Sequence, residues 1–438
     1  MSGPLYSWGR YPRLPQTGHA CHWRDELAAA LERLVRSQGS TLAFGNGRSY
    51  GDSCLAASDH VLQARGLNRL IEADWQAGVV RAEAGATLGE VLAAAIPRGW
   101  FLAVTPGTQF ATLGGAIAND VHGKNHHRRG TFGSQLLRFG LLRHGEGLLT
   151  CSPGENPELF AATVGGLGLT GVIVWAEIRL IPIRASRIEG RQQRFGGLAE
   201  FFALSAELDE RHEYGVAWID CLACGSRTGR GIYSVGEHAR YGRLEVEEPT
   251  RLRVPLTPPV SLINRLSLRA FNELHWRRQP AAPSRLRCGY QPFFYPLDRL
   301  LNWNRIYGRP GFQQYQCVIP EAGAEPAVGE LLRAIGESGQ GSFLAVLKRC
   351  GDVPSPGLLS FPLPGTSLAL DFPQRAALGR LFARLDAIVR EAGGRLYPAK
   401  DAHMSGSDFR RAYPAWERLE ALRDPTLESR FWQRVTRQ

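Results

Sequence analysis

The sequence predicts an α+β fold of two domains, and three observations support this prediction. The 438 residues exceed what a single hydrophobic core usually supports. Residues 1–186 alternate short apolar strand patterns with helices and glycine-rich loops. From residue 187, segments rich in aromatic and β-branched residues alternate with two helical patterns, which favours an antiparallel sheet with helices on one face. We therefore expect a first domain over residues 1–186, completed by the tail 395–438, and a second domain over residues 187–394.

Hydrophobic periodicity places the elements of the first domain. Leu27, Ala30, Leu31 and Leu34 recur at helical spacing and predict a helix over 23–37. Strands are expected at 41–44, 60–64 and 78–83, with a turn at Ala73–Gly78 before the last of them. A helix over 86–97 should begin at Thr87, because Glu90 follows at the spacing of a capping box.

The second domain contains two clear helical patterns and one unusual basic stretch. The helices are predicted at 326–337 and 374–392, and the tail 403–438 is also expected to be helical. Residues 251–290 hold eight arginines against one glutamate, Glu273. We expect a mobile basic segment over about 225–290. Within it, residues 259–278 form either a helix that covers the domain or a basic amphipathic helix on a membrane surface; Leu262, Ile263, Leu266, Phe271 and Leu274 would share its apolar face.

Charge and composition narrow the function classes. The net charge is +11, yet only Lys124, Lys348 and Lys400 among the 52 basic residues are lysines. No nucleic-acid-binding module accompanies the arginines, so an anionic lipid or a phosphorylated substrate suits the charge better. No apolar run is long enough for a transmembrane helix, and the first residues lack the apolar core of a secretory signal. A cytoplasmic protein is expected, with peripheral contact at the inner face of the membrane left open.

The eight cysteines predict free thiols in a reducing compartment. Cys221 and Cys224 form one C-x-x-C pair, but no second pair of zinc ligands lies at a suitable spacing. His122, His126 and His127 could hold a metal, although only Asp120 lies near them as a carboxylate ligand. We expect no metal site.

Two glycine-rich loops are the strongest functional motifs. GNGRSYGD (45–52) follows a predicted strand and could bind an anion through its backbone N–H groups, or be a plain tight turn. PGTQFATLGGAIANDVHGKNHHRRGTFG (106–133) is too long for an ordinary surface loop. Its small residues would let an extended ligand lie along the backbone.

Together with VGGLGLTG (164–171), these loops resemble the FAD-binding domain of the vanillyl-alcohol-oxidase family, the PCMH type. The resemblance implies that the first loop holds the pyrophosphate and that the other two follow the ribityl chain and isoalloxazine of FAD. Arg48 stands where many relatives have a flavin-linking histidine, so the resemblance implies non-covalent FAD. The cofactor-binding residues it implies are Gly45, Asn46, Gly47, Arg48, Ser49, Tyr50, Gly107, Thr108, Thr112, Gly114, Gly115, Ala118, His122, Gly123, Lys124, Asn125, Gly168, Gly171 and Lys400.

Further motifs, YPLDRLLNWNRIYGRPGFQQYQCVIP (295–320) and GGRLYPAKD (393–401), resemble the decaprenylphosphoryl-β-D-ribose oxidases. Those flavoproteins oxidise the 2′-hydroxyl of a polyprenylphosphoryl ribose, and an NAD(P)H-dependent short-chain reductase completes the epimerisation that makes the arabinose donor of cell-envelope glycans. The resemblance places Gln314, Gln316 and Lys348 beside the sugar. Lys400 is expected to stabilise developing charge, with Tyr50 and Tyr397 as candidate proton relays.

Two positions depart from that family. Ala369 stands where its members have cysteine, and Phe294 where they have tyrosine; both are expected at the substrate pocket. A soluble alditol or sugar-lactone oxidase that uses O2 is the second hypothesis, and a non-enzymatic FAD-binding protein is a third. Nucleic-acid binding is the weakest alternative.

Overall fold

The computed structural model describes residues 3–437 and contains four sheets. The strands are β1 Thr17–Ala20, β2 Ala43–Phe44, β3 His60–Gln63, β4 Leu70–Asp74, β5 Val79–Glu83, β6 Trp100–Leu102, β7 Leu136–Arg143, β8 Gly147–Cys151, β9 Val172–Pro182, β10 Ile188–Phe195, β11 Tyr214–Ile219, β12 Gly231–His238, β13 Leu252–Arg253, β14 Ser284–Cys288, β15 Leu300–Leu301, β16 Phe312–Pro320, β17 Ala345–Cys350, β18 Gly365–Pro373 and β19 Arg395–Leu396.

The α-helices lie between these strands and in the tail after β19. They are α1 Leu27–Gln38, α2 Leu88–Ala95, α3 Leu113–Ala118, α4 His126–Arg129, α5 Pro157–Thr163, α6 Leu198–Leu208, α7 Arg265–Arg278, α8 Tyr290–Phe294, α9 Ala324–Ser338, α10 Leu378–Glu391, α11 Gly406–Ala412, α12 Trp416–Leu422 and α13 Arg430–Thr436.

The first half of the chain builds two sheets. A small parallel sheet has the order β1-β3-β2, and an antiparallel sheet has the order β4-β5-β9-β7-β8, with β6 also paired to β9. The predicted capping box is present: Thr87 accepts a hydrogen bond from the Glu90 backbone N–H, and the Glu90 carboxylate accepts one from the Thr87 backbone N–H. The turn expected at Ala73–Gly78 is shorter than predicted, because β4 continues to Asp74. The Asp74 carboxylate then accepts from two following N–H groups and ends the strand.

The second half builds an eight-stranded antiparallel sheet with the order β14-β10-β12-β11-β17-β18-β16-β19. Helices α6, α9 and α10 pack on one face, as predicted. Because side chains alternate along a strand, Tyr315 and Cys317 of β16 enter the core under these helices. Gln314 and Gln316 alternate with these residues along β16, so their side chains lie on the opposite face of the sheet. That alternation directs polar side chains of three strands toward a cavity.

The tail returns to the first half of the chain. Thr41 pairs with Leu427 and Ala56 with Ser429 in isolated bridges. Strand β19, however, joins the edge of the eight-stranded sheet. One of the apolar clusters contains residues of both predicted domains, from Leu42 to Val435, so the division at residues 186 and 395 stays a prediction.

Two details of the basic segment differ from expectation. The predicted mobile range 225–290 includes β12, which is hydrogen-bonded on both sides inside the large sheet, so these residues do not belong to a mobile loop. The helix expected over 259–278 begins only at Arg265, because Asn264 caps it. Leu268 and Asn272 form its buried face, whereas Leu266 and Leu274 of the predicted apolar face are exposed. The predicted apolar face is therefore largely exposed, which fits the membrane-surface alternative better than a helix that covers the domain through that face.

Candidate functional site: one cavity shared by the glycine loops and the large sheet

One cavity lies between the glycine-rich loops and the polar face of the eight-stranded sheet. It encloses about 2060 Å³, including its opening to solvent. Every predicted cofactor-binding residue except Asn125 lines it, and so do Gln314, Gln316, Lys348, Phe294, Ala369 and Tyr397. The structure therefore brings together nearly all of the residues that the sequence singled out.

Asn125 is the exception. It is buried, and its side-chain amide donates to the backbone carbonyl of Ala103 at 2.8 Å and to the Glu213 carboxylate at 2.9 Å. Its predicted contact with the cofactor is not supported by this position, because both amide protons hold the second loop in place.

The first loop is tied closely to the second. The Asn46 side-chain amide donates to the Phe110 carbonyl at 2.8 Å. A Cβ on Gly45 would meet Thr112 Oγ1 at 2.4 Å, so only glycine allows this approach. Gly47 has a φ of +59°, a left-handed conformation that glycine adopts without strain. The Arg48 guanidinium lies 4.0 Å from the centre of the Trp8 ring and 4.9 Å from that of Phe110.

The cavity wall has the shape and the free polar atoms that a long polar cofactor requires. A Cβ on Gly107 would meet no atom within 4 Å, so the backbone is open to the cavity there. Among residues 3–437, the cavity-lining atoms Arg48 Nε, Ser53 Oγ and His122 Nδ1 are buried without a hydrogen-bond partner. Buried polar groups are normally paired, so these atoms fit a ligand such as FAD that supplies partners.

His122 links the second loop to the large sheet. The Gln316 amide donates to His122 Nε2 at 3.1 Å, and the ring packs against Phe361 and Tyr397. Burial, reinforced by Lys348, holds the pKa of His122 well below its usual value. The ring is therefore neutral, and with Nε2 accepting, its proton lies on Nδ1 as a donor toward the cavity.

Two of the three lysines lie where the second loop meets β17. Lys348 Nζ donates to the Gly123 carbonyl at 2.9 Å, and burial lowers its pKa to about 8. Burial, with Lys348 nearby, also lowers the pKa of Lys124 to about 8. Neither lysine has a salt bridge in the described chain. Cations that are desolvated without a paired carboxylate favour an anionic or electron-rich ligand beside them.

The third lysine packs on a tyrosine. Lys400 Nζ lies 3.8 Å from the centre of the Tyr50 ring. Burial lowers the pKa of Lys400 to about 7, and the Asp371 carboxyl opposes that shift. The Tyr50 N–H donates to the Ala399 carbonyl at 3.0 Å, which joins the first loop to the segment that carries Lys400. The predicted pair of catalytic residues is thus held in contact at the cavity wall.

Tyr397 does not have a free hydroxyl. Its OH donates to the Asn119 carbonyl at 2.7 Å, and its ring stacks on Phe361. The hydroxyl proton is engaged by the protein, which favours a positioning role over the predicted proton relay.

Phe294 and Ala369, the two predicted substrate-pocket positions that depart from the family, both line the cavity. Phe294 is buried among aromatic rings, 4.8 Å from Tyr214 and 5.3 Å from Phe101 between ring centres. Ala369 lies on β18 opposite Gln316. At these two positions the cavity wall is apolar, so neither residue hydrogen-bonds a ligand through its side chain.

Sequence reasoning missed two acidic residues near the site. Asp298 accepts from the Thr108 hydroxyl and from the Gln109 backbone N–H, both at 2.8 Å, and burial raises its pKa to about 6. Asp371 is fully buried beside Gln314, and burial raises its pKa to about 7. Asp298 lies in the YPLDRLL stretch of a motif that the sequence analysis had already recognised. Asp371 is an acidic residue inside the apolar strand pattern SLALDFP, and that pattern could have identified it.

The alternatives with metals find no support in the described residues. No group of three or more histidines, cysteines or carboxylates there could hold a metal ion. Cys221 donates to the Ser342 carbonyl, and Cys224 is exposed with a free thiol.

Within residues 3–437, no helix is both long and apolar enough to cross a membrane.

Comparison with known proteins agrees with this geometry. The FAD binding domain family matches residues 19–152. The decaprenylphosphoryl-β-D-ribose oxidase of Mycolicibacterium smegmatis is 34% identical over 96% of this chain and 94% of its own length. An uncharacterised protein of Streptomyces coelicolor is 35% identical over 77% of this chain and 95% of its own length.

A sugar-lactone oxidase gives a much shorter match. The D-arabinono-1,4-lactone oxidase of Eremothecium gossypii is 31% identical over 40% of this chain and 33% of its own length. By its near full-length similarity and its FAD-binding domain, the chain belongs to the decaprenylphosphoryl-β-D-ribose oxidase family of FAD-dependent oxidoreductases that act on CH–OH groups.

Proposed function

We propose that the protein oxidises the 2′-hydroxyl of a polyprenylphosphoryl-β-D-ribose to a ketone. One observation supports this most strongly: the glycine loops that fit FAD and a polar set suited to a sugar face the same cavity. The polar set comprises Lys400, Tyr50, Gln314, Gln316 and Lys348. The near full-length relative is named for a lipid-linked ribose, which supports the same substrate.

The glycine loops would hold FAD, which would supply the acceptor for the hydride from the alcohol carbon. The residues of this chain then have three tasks: to hold the sugar, to take up the hydroxyl proton and to stabilise developing negative charge. Gln314 and Gln316 lie one strand period apart on β16, so their amides present donors and acceptors to one ligand. Only part of each amide is engaged, by Asp371 and by His122 respectively.

Lys400 is suited to the electrostatic task. Its ammonium is buried at the cavity, and in such a site a charge acts more strongly than in water. The Tyr50 ring packs against that ammonium, and we assign its hydroxyl the role of proton relay. His122, as a neutral Nδ1–H donor, would orient the cofactor rather than take up a proton.

We propose that FAD is bound without a covalent link. Arg48 occupies the place of the linking histidine, and a guanidinium does not form that bond. Cys54 also lines the cavity, but burial raises its thiol pKa to about 12, so it is not a thiolate nucleophile.

Two partners follow from this reaction. A keto sugar must be reduced if the hydroxyl is to return with inverted configuration, so an NAD(P)H-dependent short-chain reductase is the proposed second enzyme. Because a polyprenyl tail resides in lipid, we place the protein at the inner face of the cell membrane as a peripheral protein.

The product tests the proposal directly. After incubation of the holoenzyme with farnesylphosphoryl-β-D-ribose, borodeuteride reduction followed by mass spectrometry should place deuterium at carbon 2′. Absence of deuterium at that carbon, or deuterium at another carbon, would reject the proposed reaction.

A further inference from the structure

Exposed apolar side chains are concentrated in one short region. Eleven large apolar side chains are exposed among residues 3–437, and seven of them lie between residues 252 and 274. Leu256 is 77% exposed and Leu266 is 79% exposed. A concentration of this kind marks an interaction surface. We call residues 251–278 the basic apolar surface; its exposed apolar members are Leu252, Leu256, Val260, Leu262, Leu266, Phe271 and Leu274.

The same surface is strongly basic. Its six arginines are all exposed, and its only acidic residue is Glu273. The Glu273 carboxylate pairs with Arg230 at 2.5 Å and with Arg277, so it adds little free negative charge. Five of the six arginines have no salt bridge in the described chain, and Arg277 is the exception. Exposed leucines among these cations match a bilayer with anionic headgroups, in which the leucines enter the headgroup boundary and the cations meet phosphate. The arginines are Arg251, Arg253, Arg265, Arg269, Arg277 and Arg278.

Helix α7 is held against the protein, which leaves its outer face free. Asn272 is fully buried and donates to Asp220 at 2.8 Å, and Asp220 pairs with buried Arg230. Leu266 and Leu274 lie about half a helical turn around from this buried face. Leu266 and Leu274 are therefore presented by a fixed helix and not by a frayed loop.

The first part of the surface is fixed to the wall of the cavity. Leu252 and Arg253 pair with β15, and Arg305 donates to the Pro255 carbonyl at 2.6 Å. Strand β15 follows Leu297 and Asp298 and precedes Trp303, and these three residues line the cavity. The exposed leucines thus adjoin the element that borders the cavity.

We propose that the basic apolar surface docks the protein on an anionic bilayer, so that a lipid-linked sugar passes from the membrane into the adjoining cavity. This inference rests on the proposed function, since it explains how a substrate with a membrane-embedded tail reaches the site. The charge of the surface selects the occupant: six arginines facing six arginines would repel a second copy of the chain placed across a twofold axis.

Vesicle co-sedimentation of the holoenzyme tests the proposal. The probes are vesicles of phosphatidylcholine alone and of phosphatidylcholine mixed with phosphatidylglycerol. We expect strong binding only to the anionic vesicles, weakened by salt. Leu256→Gln with Leu266→Gln, and separately Arg265→Gln with Arg269→Gln, should each weaken binding by about tenfold or more. The matched control is Leu70→Gln with Leu148→Gln, two exposed leucines elsewhere, which should leave binding unchanged.

Three results would overturn the docking surface: no binding to anionic vesicles, equal binding by all variants, or a dimer in sedimentation velocity that the leucine variant abolishes. Flavin reduction by farnesylphosphoryl-ribose in vesicle-free solution tests the proposed reaction separately from membrane docking. Normal flavin reduction with failed vesicle binding rejects only the docking surface. Failed flavin reduction in the wild type and in all of the variants rejects the proposed function.

Discussion

Gln314 Nε2 donates a 2.6 Å hydrogen bond to Oδ1 of Asp371, the residue opposite it on the neighbouring strand. The other carboxylate oxygen, Oδ2, is buried without a partner in the described chain. Asp371 therefore orients a glutamine of the proposed sugar site and places a titratable carboxyl behind Lys400. This relationship connects sugar binding to the charge of the lysine.

The first prediction concerns Asp371→Asn. Burial lowers the pKa of Lys400 to about 7, and the Asp371 carboxylate works against that shift. Removing the carboxylate should lower the lysine pKa further, because the ammonium loses its favourable neighbour. If the ammonium form is the active one, flavin reduction falls as pH rises through the lysine pKa, and the midpoint of that fall should move to lower pH in the variant.

Stopped-flow flavin reduction across pH measures the midpoint. The control is Asp386→Asn, since Asp386 pairs with Tyr315 and His403 on the helix side of the sheet. An unchanged midpoint in Asp371→Asn would remove the proposed coupling. A rate that rises through the lysine pKa would instead identify neutral Lys400 as a proton acceptor.

Lys400→Met should slow flavin reduction by about a hundredfold to a thousandfold, the usual effect of deleting one preorganised electrostatic group. FAD content should be retained, because the glycine loops are unchanged. Lys400→Arg, which keeps the charge, should recover part of the rate. Wild-type reduction by Lys400→Met, measured by stopped flow, would exclude the lysine from the reaction.

Gly107→Val should weaken FAD binding by about tenfold to a hundredfold, which corresponds to the roughly 1–3 kcal/mol that overfilling a packed site costs. Its side chain would enter the cavity, since no protein atom lies within 4 Å of a Cβ there. Gly154→Val is the matched control, because its Cβ also meets nothing but lies outside the cavity. Equal flavin-to-protein ratios in the two purified variants would show that Gly107 does not border the cofactor.

Non-covalent FAD should leave the protein when it unfolds. Acid precipitation should yield a colourless pellet and intact FAD in the supernatant, identified by chromatography. Yellow colour that stays with the washed pellet would demonstrate a covalent link and contradict the inference from Arg48.

Arg434→Met should destabilise the fold by about 3–5 kcal/mol. Arg434 bridges Asp52 and Asp401, both at 2.8 Å, and so joins the loop after Tyr50 to the residue after Lys400. Its loss leaves buried Asp52 without a cation and leaves buried Asp401 with only His403 beside it. Arg437→Met is the control, since Arg437 is largely exposed in its pair with Glu428 and should change stability little. Similar urea midpoints for the two variants would contradict this role.

Much of the fold and of the cavity could be predicted from the sequence because the informative patterns are contiguous stretches of the chain. The capping box of Thr87 and Glu90 and the glycine motifs are contiguous patterns, and family-like spacing ordered the loops. The side of α7 that is buried could not be read in this way. Asn272, a polar residue, is buried because Asp220 lies against it, and that contact spans 52 residues. The engaged hydroxyl of Tyr397 and the position of Asn125 likewise depend on distant backbone carbonyls.

The central claim is most directly tested by anaerobic mixing of the oxidised holoenzyme with farnesylphosphoryl-β-D-ribose while the flavin absorbance is followed. We predict rapid bleaching with the lipid-linked ribose and none with free ribose or xylitol. Bleaching by a soluble polyol, with none by the lipid-linked sugar, would contradict the proposed substrate and favour a soluble sugar oxidase.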